Sequence, residues 1–129
     1  MSAYLSDHFT YIEAIKSSMA LRRNIDNTPI DTEITKLKLV ATNILEPARM
    51  HYQLPFAPSS WFRCLPLNRA LRSDDTSQHV KAEAVDFEIP GIDNLELAHW
   101  MQHNVDFDQL ILEFYDGTDP MSGWVHASF

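Results

Sequence analysis

Two histidines and an aspartate stand out by residue type and setting: His79 and Asp86 in the stretch TSQHVKAEAVD, and His126 in GWVHASF. Imidazole nitrogens and carboxylate oxygens are usual ligands of a catalytic zinc, which takes three protein donors and leaves a fourth position for water. Asp86 sits between Val85 and Phe87. A carboxylate buried among apolar neighbours costs several kcal/mol unless it is paired, so Asp86 calls for a cation, an arginine or a set of hydrogen bonds. His79 and Asp86 are too far apart to be neighbours on one regular strand, so a bend must carry His79 back. Spacing alone reaches only a candidate metal site, because a lone histidine in an apolar strand is more often a packed residue than a ligand.

The elements that must position these residues follow from the hydrophobic pattern. Thr10 with Glu13 has capping-box spacing, and a short helix over YIEAIKS would put Ile12 and Ile15 on one face. Asp31 or Thr32 would cap a second helix, whose apolar stripe runs through Ile34, Leu37, Ala41, Ile44 and Ala48. Pro47 should kink or end it. LPFAPSSWFRCL reads as an extended, proline-interrupted segment and LNRALRS as a short helical turn. AEAVDFEI predicts a strand that stops at Pro90 and Gly91, and Asp93 with Glu96 starts a helix over NLELAHWMQHN. The closing FDQLILEFYDGTDPMSGWVHASF predicts two strands about a turn. Helices first and strands later give an α+β domain with an antiparallel sheet. It would be one domain over 1–129, helical to about residue 50 and sheet-rich from about 51 onward.

Composition narrows the partners. The chain has 129 residues, 45% hydrophobic and 22% charged, which suits a single folded core. Its 18 acidic and 10 basic residues leave a net charge of −8, a field that repels nucleic-acid phosphates and anionic lipid. Nucleic acid and membrane are therefore not expected partners, and the chain is expected to be a monomer. Cys64 is the single cysteine and has no internal disulfide partner. The N-terminal stretch carries Asp7 and Glu13 and no continuous apolar run, so synthesis in the cytoplasm without a signal peptide is expected.

Four blocks of the chain carry a resemblance. SQHVKAEAVD resembles the S-x-H-x-x-G-x-A-x-D motif of zinc D-alanyl-D-alanine carboxypeptidases and related peptidoglycan peptidases, the peptidase M15 family. SSWFRCLPLNRAL is similar to the S-G-Y-R-x-P-x-L-N-x-A segment of its phage and bacterial branch. FDQLILEF with WVHASF is similar to that branch's closing strands and their W-x-H, and LSDHFTYIEAIKSSMA and NILEPAR are similar to its helical N-terminal part. The resemblance spans nearly the whole chain. It implies an antiparallel sheet flanked by helices, as in the Hedgehog/D-Ala-D-Ala peptidase fold, and one zinc ion held by His79, Asp86 and His126. Arg63 matches the arginine that contacts the substrate's carbonyl or carboxylate, a task suited to an always-charged, rigid fork of donors. Ser60 and Ser77 fall at motif serines that orient ligands or bind substrate, and Trp124 would line the substrate groove.

The general base departs from the pattern. Related enzymes place a Glu or Asp three residues before the last histidine, where this chain has Gly123. Glu113 is the expected replacement: if 108–115 pairs with 123–129, it shares a face with Ile111 and Tyr115, beside Trp124 and His126. Asp116, Asp119 and His103 compete for the role, although turn chemistry is the simpler reading of the two aspartates. Trp61 replaces a glycine and should narrow the substrate groove, and Phe62 replaces a tyrosine. Ala82 also replaces a glycine, and is tolerable if its φ stays negative. Cys64 should be a small core residue, and His8, His51 and His99 ordinary surface or half-buried ones. The function implied is a zinc metallopeptidase that cleaves peptidoglycan stem or cross-bridge peptides, like a phage endolysin reaching the cell wall. The alternatives are a catalytically inactive, zinc-binding virion or wall-binding module of the same fold, and a metal-free α+β interaction domain.

Overall fold

The computed structural model describes residues 3–129. The first half is helical. Helix α1 (Tyr11–Ile15) starts at the expected capping box, with Glu13 N–H donating to Thr10 Oγ1 at 3.2 Å and Thr10 N–H to Glu13 Oε1 at 2.9 Å. The face it buries is not the one the pattern indicated: Ala14 is in the core and Ile12 is 70% exposed. Helix α2 (Ser18–Arg23) is capped by Ser17 and ended by Asn24 in the left-handed region.

Helix α3 (Asp31–Val40) begins one residue earlier than the capping residues suggested. Ile30 is its N-cap, with no side-chain cap, and the Glu33 carboxylate accepts the Ile30 N–H at 2.9 Å instead. Pro47 neither ends nor visibly stops the helical run. Proline has no N–H to offer, and the preceding turn, Ala41–Leu45, widens into a π-turn in which Glu46 N–H reaches Ala41. The chain then continues as α4 (Glu46–Tyr52). The stripe is buried as expected at Leu37, Ala41, Ile44 and Ala48, with Ile34 packed at its edge.

After α5 (Leu65–Ala70), strand β1 (Ala84–Phe87), helix α6 (Asn94–Asn104) and strands β2 (Gln109–Glu113) and β3 (Trp124–Ser128) complete the fold. Asp93 caps α6 by accepting the Leu95 N–H at 2.8 Å. The sheet is antiparallel in the order β1-β3-β2, so the last strand is central. The architecture is α+β, with a small antiparallel sheet beside helices.

Alternation along the strands then divides the sheet. Val85, Phe87, Val125 and Ala127 enter one hydrophobic cluster with Leu37, Val40, Leu97 and Met101. The opposite face carries Asp86, His126, Ile111, Trp124 and Glu113. The chemistry is all on this second face. Among the described residues, no helix is long and apolar enough to cross a membrane.

Candidate metal centre

Asp86 and His126 are direct cross-strand partners, which places both side chains on one face. His126 Nδ1 lies 2.8 Å from Asp86 Oδ1. His79 arrives by the required bend, a run of turns over residues 77–83 in which Val80, Ala82 and Glu83 donate back to Ser77, His79 and Gln78. Its Nε2 lies 3.3 Å from the same Asp86 oxygen. Donor atoms of all three residues fall within 4.8 Å of one another.

Hydrogen bonding sets the chemistry of these donors. His79 Nδ1 is 2.7 Å from the Trp61 carbonyl, which can only accept, so Nδ1 carries a proton and Nε2 is the ring nitrogen that faces Asp86. Burial would raise the Asp86 carboxyl pKa. Hydrogen bonds from His126 and His79, and the charge of both rings, outweigh that and hold it at about 2. Two imidazole nitrogens and an ionised carboxylate, with one tautomer locked by a backbone carbonyl, fit a divalent transition metal.

The segment Ser59–Arg63 braces both ligand-bearing elements. Ser59 and Ser60 donate their N–H groups to the Asp86 carbonyl, Asp86 N–H returns to Ser60 at 2.7 Å, and Arg63 N–H bonds the His79 carbonyl at 3.3 Å. Ser60 therefore lies beside Asp86 through its backbone. Ser77 supports the other ligand, accepting the His79 N–H at 3.3 Å on its Oγ. Trp61 is 2% exposed and packs edge-on against Phe9 in the core, while also lining a cleft beside Ser59, Ser60 and Arg63.

Arg63 is half-buried near the cluster. Burial lowers its guanidinium pKa, and the Asp86 charge opposes that. Its Nη1 donates to Asn68 Oδ1 at 3.3 Å, while its buried Nε has no partner. Asn68 is itself fixed by donating to the carbonyls of Asp74 and Ser73.

Glu113 is paired with Trp124 and so shares the face of His126, diagonal to it across the ladder. Its carboxylate makes no hydrogen bond or ion pair among the described residues. The competing groups are engaged elsewhere. Asp116 accepts from the N–H groups of Thr118 and Asp119, and Asp119 accepts from Met121. His103 turns its Nδ1 onto the His99 carbonyl of its own helix at 2.8 Å. Trp124 is half-buried and packs on Phe114 with ring centroids 5.3 Å apart.

Gly123 explains the departure before His126. Its φ is +65°, and a Cβ there would lie 1.8 Å from the Glu113 carbonyl oxygen. No side chain fits, so no carboxylate can stand at that position. Ala82 runs against expectation: its φ is +60°, in the left-handed region. The turn that delivers His79 needs that geometry, and the methyl is accommodated in the core.

Two asparagines that the sequence pattern left unremarked hold the site together. Buried Asn27 donates to the carbonyls of Ile15 and Phe62 and accepts the Cys64 N–H at 2.7 Å, which ties Ser59–Cys64 to the N-terminal helices. Buried Asn94 donates to Glu88 and to the carbonyls of Ser122 and Gly123, anchoring the loop before β3. The available signal was an amide among apolar or turn residues, and turn chemistry is the simpler reading of Asn27 in RNIDNTPID.

Comparison with known families matches residues 7–128 to the family described as Peptidase M15. No curated protein matches the chain.

Proposed function

The chain belongs to the Peptidase M15 family and is a metallopeptidase, and from that premise we propose that it is a zinc enzyme cleaving peptide bonds in peptidoglycan stem or cross-bridge peptides, as a phage endolysin does. The observation that carries this reading is the convergence of His79, Asp86 and His126 on one point, in a chain that matches the family over residues 7–128. A zinc ion held by His79 Nε2, Asp86 and His126 Nδ1 would lower the pKa of a water to about 7 and polarise the scissile carbonyl.

The chain's own residues do the rest. Glu113 accepts the proton of the attacking water and returns it to the leaving amine, a role its unpaired carboxylate and its place on the His126 face support. Arg63 donates to the substrate oxygen on which negative charge develops. Trp124 offers the substrate an aromatic wall, and Ser60 a hydroxyl beside Asp86. The enzyme acts as a monomer on the wall after synthesis in the cytoplasm, and its net charge of −8 disfavours nucleic acid and anionic lipid. A missing carboxylate before His126 would favour the inactive-module alternative. Gly123 has no room for one, and Glu113 lies on the same face, which weakens that alternative.

Zinc-loaded protein is expected to release soluble peptides from purified cell walls, to stop on chelation and to resume when zinc is restored. Mass spectrometry of the fragments identifies the bond. Zinc-loaded protein that leaves both walls and muropeptides intact would overturn the proposal. Glu113→Gln should retain zinc and lower kcat by about 10²- to 10⁴-fold; unchanged turnover would assign the base elsewhere.

A further inference from the structure

Among the described residues, Phe114 combines a strained backbone with an exposed aromatic ring. It is 78% exposed, and its φ is +53°, in the left-handed region. That region is uncommon outside glycine and a true outlier for a bulky side chain. The other non-glycine residues described with positive φ have local reasons for it. Asn24 and Gln53 end α2 and α4, Arg72 closes the turn after α5, and Ala82 belongs to the turn that delivers His79. Glycine at position 114 would relieve the backbone and remove an apolar ring from water.

The strained backbone decides where that ring goes. Alternation continued past β2 would send residue 114 to the side of Leu110 and Leu112, which packs against the core. Instead the ladder ends at Glu113, and the Phe114 ring meets Trp124 with centroids 5.3 Å apart and planes at 35°. Trp124 stands two residues from His126, on the face that carries the candidate metal centre. The neighbours of Phe114 are held in place. Glu113 pairs with Trp124, the Tyr115 hydroxyl donates to Asp93 Oδ1 at 3.1 Å, and Asp116 N–H donates to Ser122 Oγ at 3.1 Å. The ring is therefore presented by a fixed backbone, and little ordering remains for a ligand to impose.

We propose that Phe114 is a specificity-determining residue, forming with Trp124 an apolar ledge for an aliphatic side chain of the peptide substrate beside the scissile bond. The inference rests on the peptidase reading above and deepens it. Phe114 directly follows Glu113, to which that reading gives the attacking water, so a side chain seated on the ledge flanks the bond under attack. Two ring surfaces without charge offer dispersion and apolar contact, which favours an aliphatic side chain over a polar one. Substrate binding also covers the apolar surface that the free protein leaves in water. Strain and exposure at one residue are thus offset when the substrate is bound.

Kinetics are measured on three synthetic stem peptides: one with alanine on both sides of the scissile bond, and two with serine on one side or the other. Wild-type protein should favour alanine at one of the two positions by roughly two- to fivefold in kcat/KM. Phe114→Gly should raise KM for the alanine peptide by roughly three- to tenfold with kcat little changed, and should lose the preference. Phe114→Asn also tolerates the left-handed backbone and should behave alike, whereas Phe114→Tyr keeps the ring and should keep the wild-type KM. Leu21→Ala removes a side chain that is 84% exposed on α2, outside the sheet, and should change neither constant. Thermal melts check that the variants remain folded. An unchanged KM in Phe114→Gly and Phe114→Asn, or an alanine preference that survives them, would overturn the ledge while leaving the peptidase reading intact. Calorimetric titration of the alanine peptide into metal-free protein covers the converse. Binding weakened by Phe114→Gly, without cleavage by the zinc-loaded wild type, would sustain the ledge and refute the peptidase reading. Equal binding by wild type and variant would overturn the ledge.

Discussion

The two arms of the candidate metal centre are built in different ways. Asp86 and His126 sit on adjacent strands of a regular ladder, and their convergence follows from register alone. His79 sits in a chain of turns that no sheet holds, and depends on Trp61 and Arg63 from a distant segment and on Ala82 in the left-handed region. Each arm has one residue with positive φ, three positions from its histidine. In the ladder arm it is Gly123, where the backbone passes so close that a methyl would collide. In the turn arm it is Ala82, where a methyl packs at the cost of conformational strain of about 1 kcal/mol. A left-handed backbone thus demands glycine only where a second backbone crowds the Cβ.

Removing a ligand from either arm should have the largest effect. His79→Ala and His126→Ala should each lose stoichiometric zinc, measured by elemental analysis after gel filtration, and with it all peptidase activity. If one variant kept metal and activity, the two arms would not form one site. Gly123→Ala comes next: relieving the overlap with the Glu113 carbonyl must displace the hairpin, at about 3 kcal/mol or more in denaturant unfolding. A wild-type midpoint would show that the hairpin yields easily and that the ladder arm is not rigid.

The turn arm is weakest where its brace is tied down. Asn27→Ala strips three hydrogen bonds from buried or part-buried backbone groups, including the partner of Cys64 N–H, and should cost about 2 to 3 kcal/mol. Zinc affinity should fall alongside, because the same segment orients His79.

Acid should act on the ladder arm. The Asp86 carboxyl has a folded pKa of about 2 against 3.8 for the free group, so its contribution is complete above 3.8 and is lost as pH falls through 2. Metal-free protein should therefore lose stability across that window, and Asp86→Asn should flatten that part of the profile. The smallest change belongs to Ala82→Gly. Relief of strain is offset by the lost methyl burial and a more flexible unfolded chain, so the net effect should stay within about 1 kcal/mol. A larger loss would mean that the methyl is a core contact in its own right.

What could be read in the sequence was what short-range chemistry encodes. Thr10 and Asp93 announced their helices by capping, the stripe from Leu37 to Ala48 announced a buried helix face, and alternation put Glu113 and His126 on one face of the closing strands. His79, Asp86 and His126 were legible as candidate donors because each sits in an otherwise apolar stretch. The bracing roles of Asn27 and Asn68 were not legible, since their partners depend on where distant carbonyls come to rest. Asn27 bonds Phe62 across 35 residues of sequence. Whether Pro47 kinks or ends the helix was not legible for a related reason: a π-turn absorbs the missing N–H, and only the packing of the whole helix decides that the helical run continues.

The sequence by itself determined the donor types, the alternation along each strand, and the absence of a carboxylate three residues before His126. These depend on side-chain chemistry and a period of two, both local properties of a chain. The tertiary structure decided the tautomer of His79, the sign of φ at Ala82, the burial of the Trp61 ring and the gathering of Lys16, Arg22 and Arg63 about one cleft. Each of those depends on a neighbour remote in sequence, and a chain acquires such neighbours only when it folds.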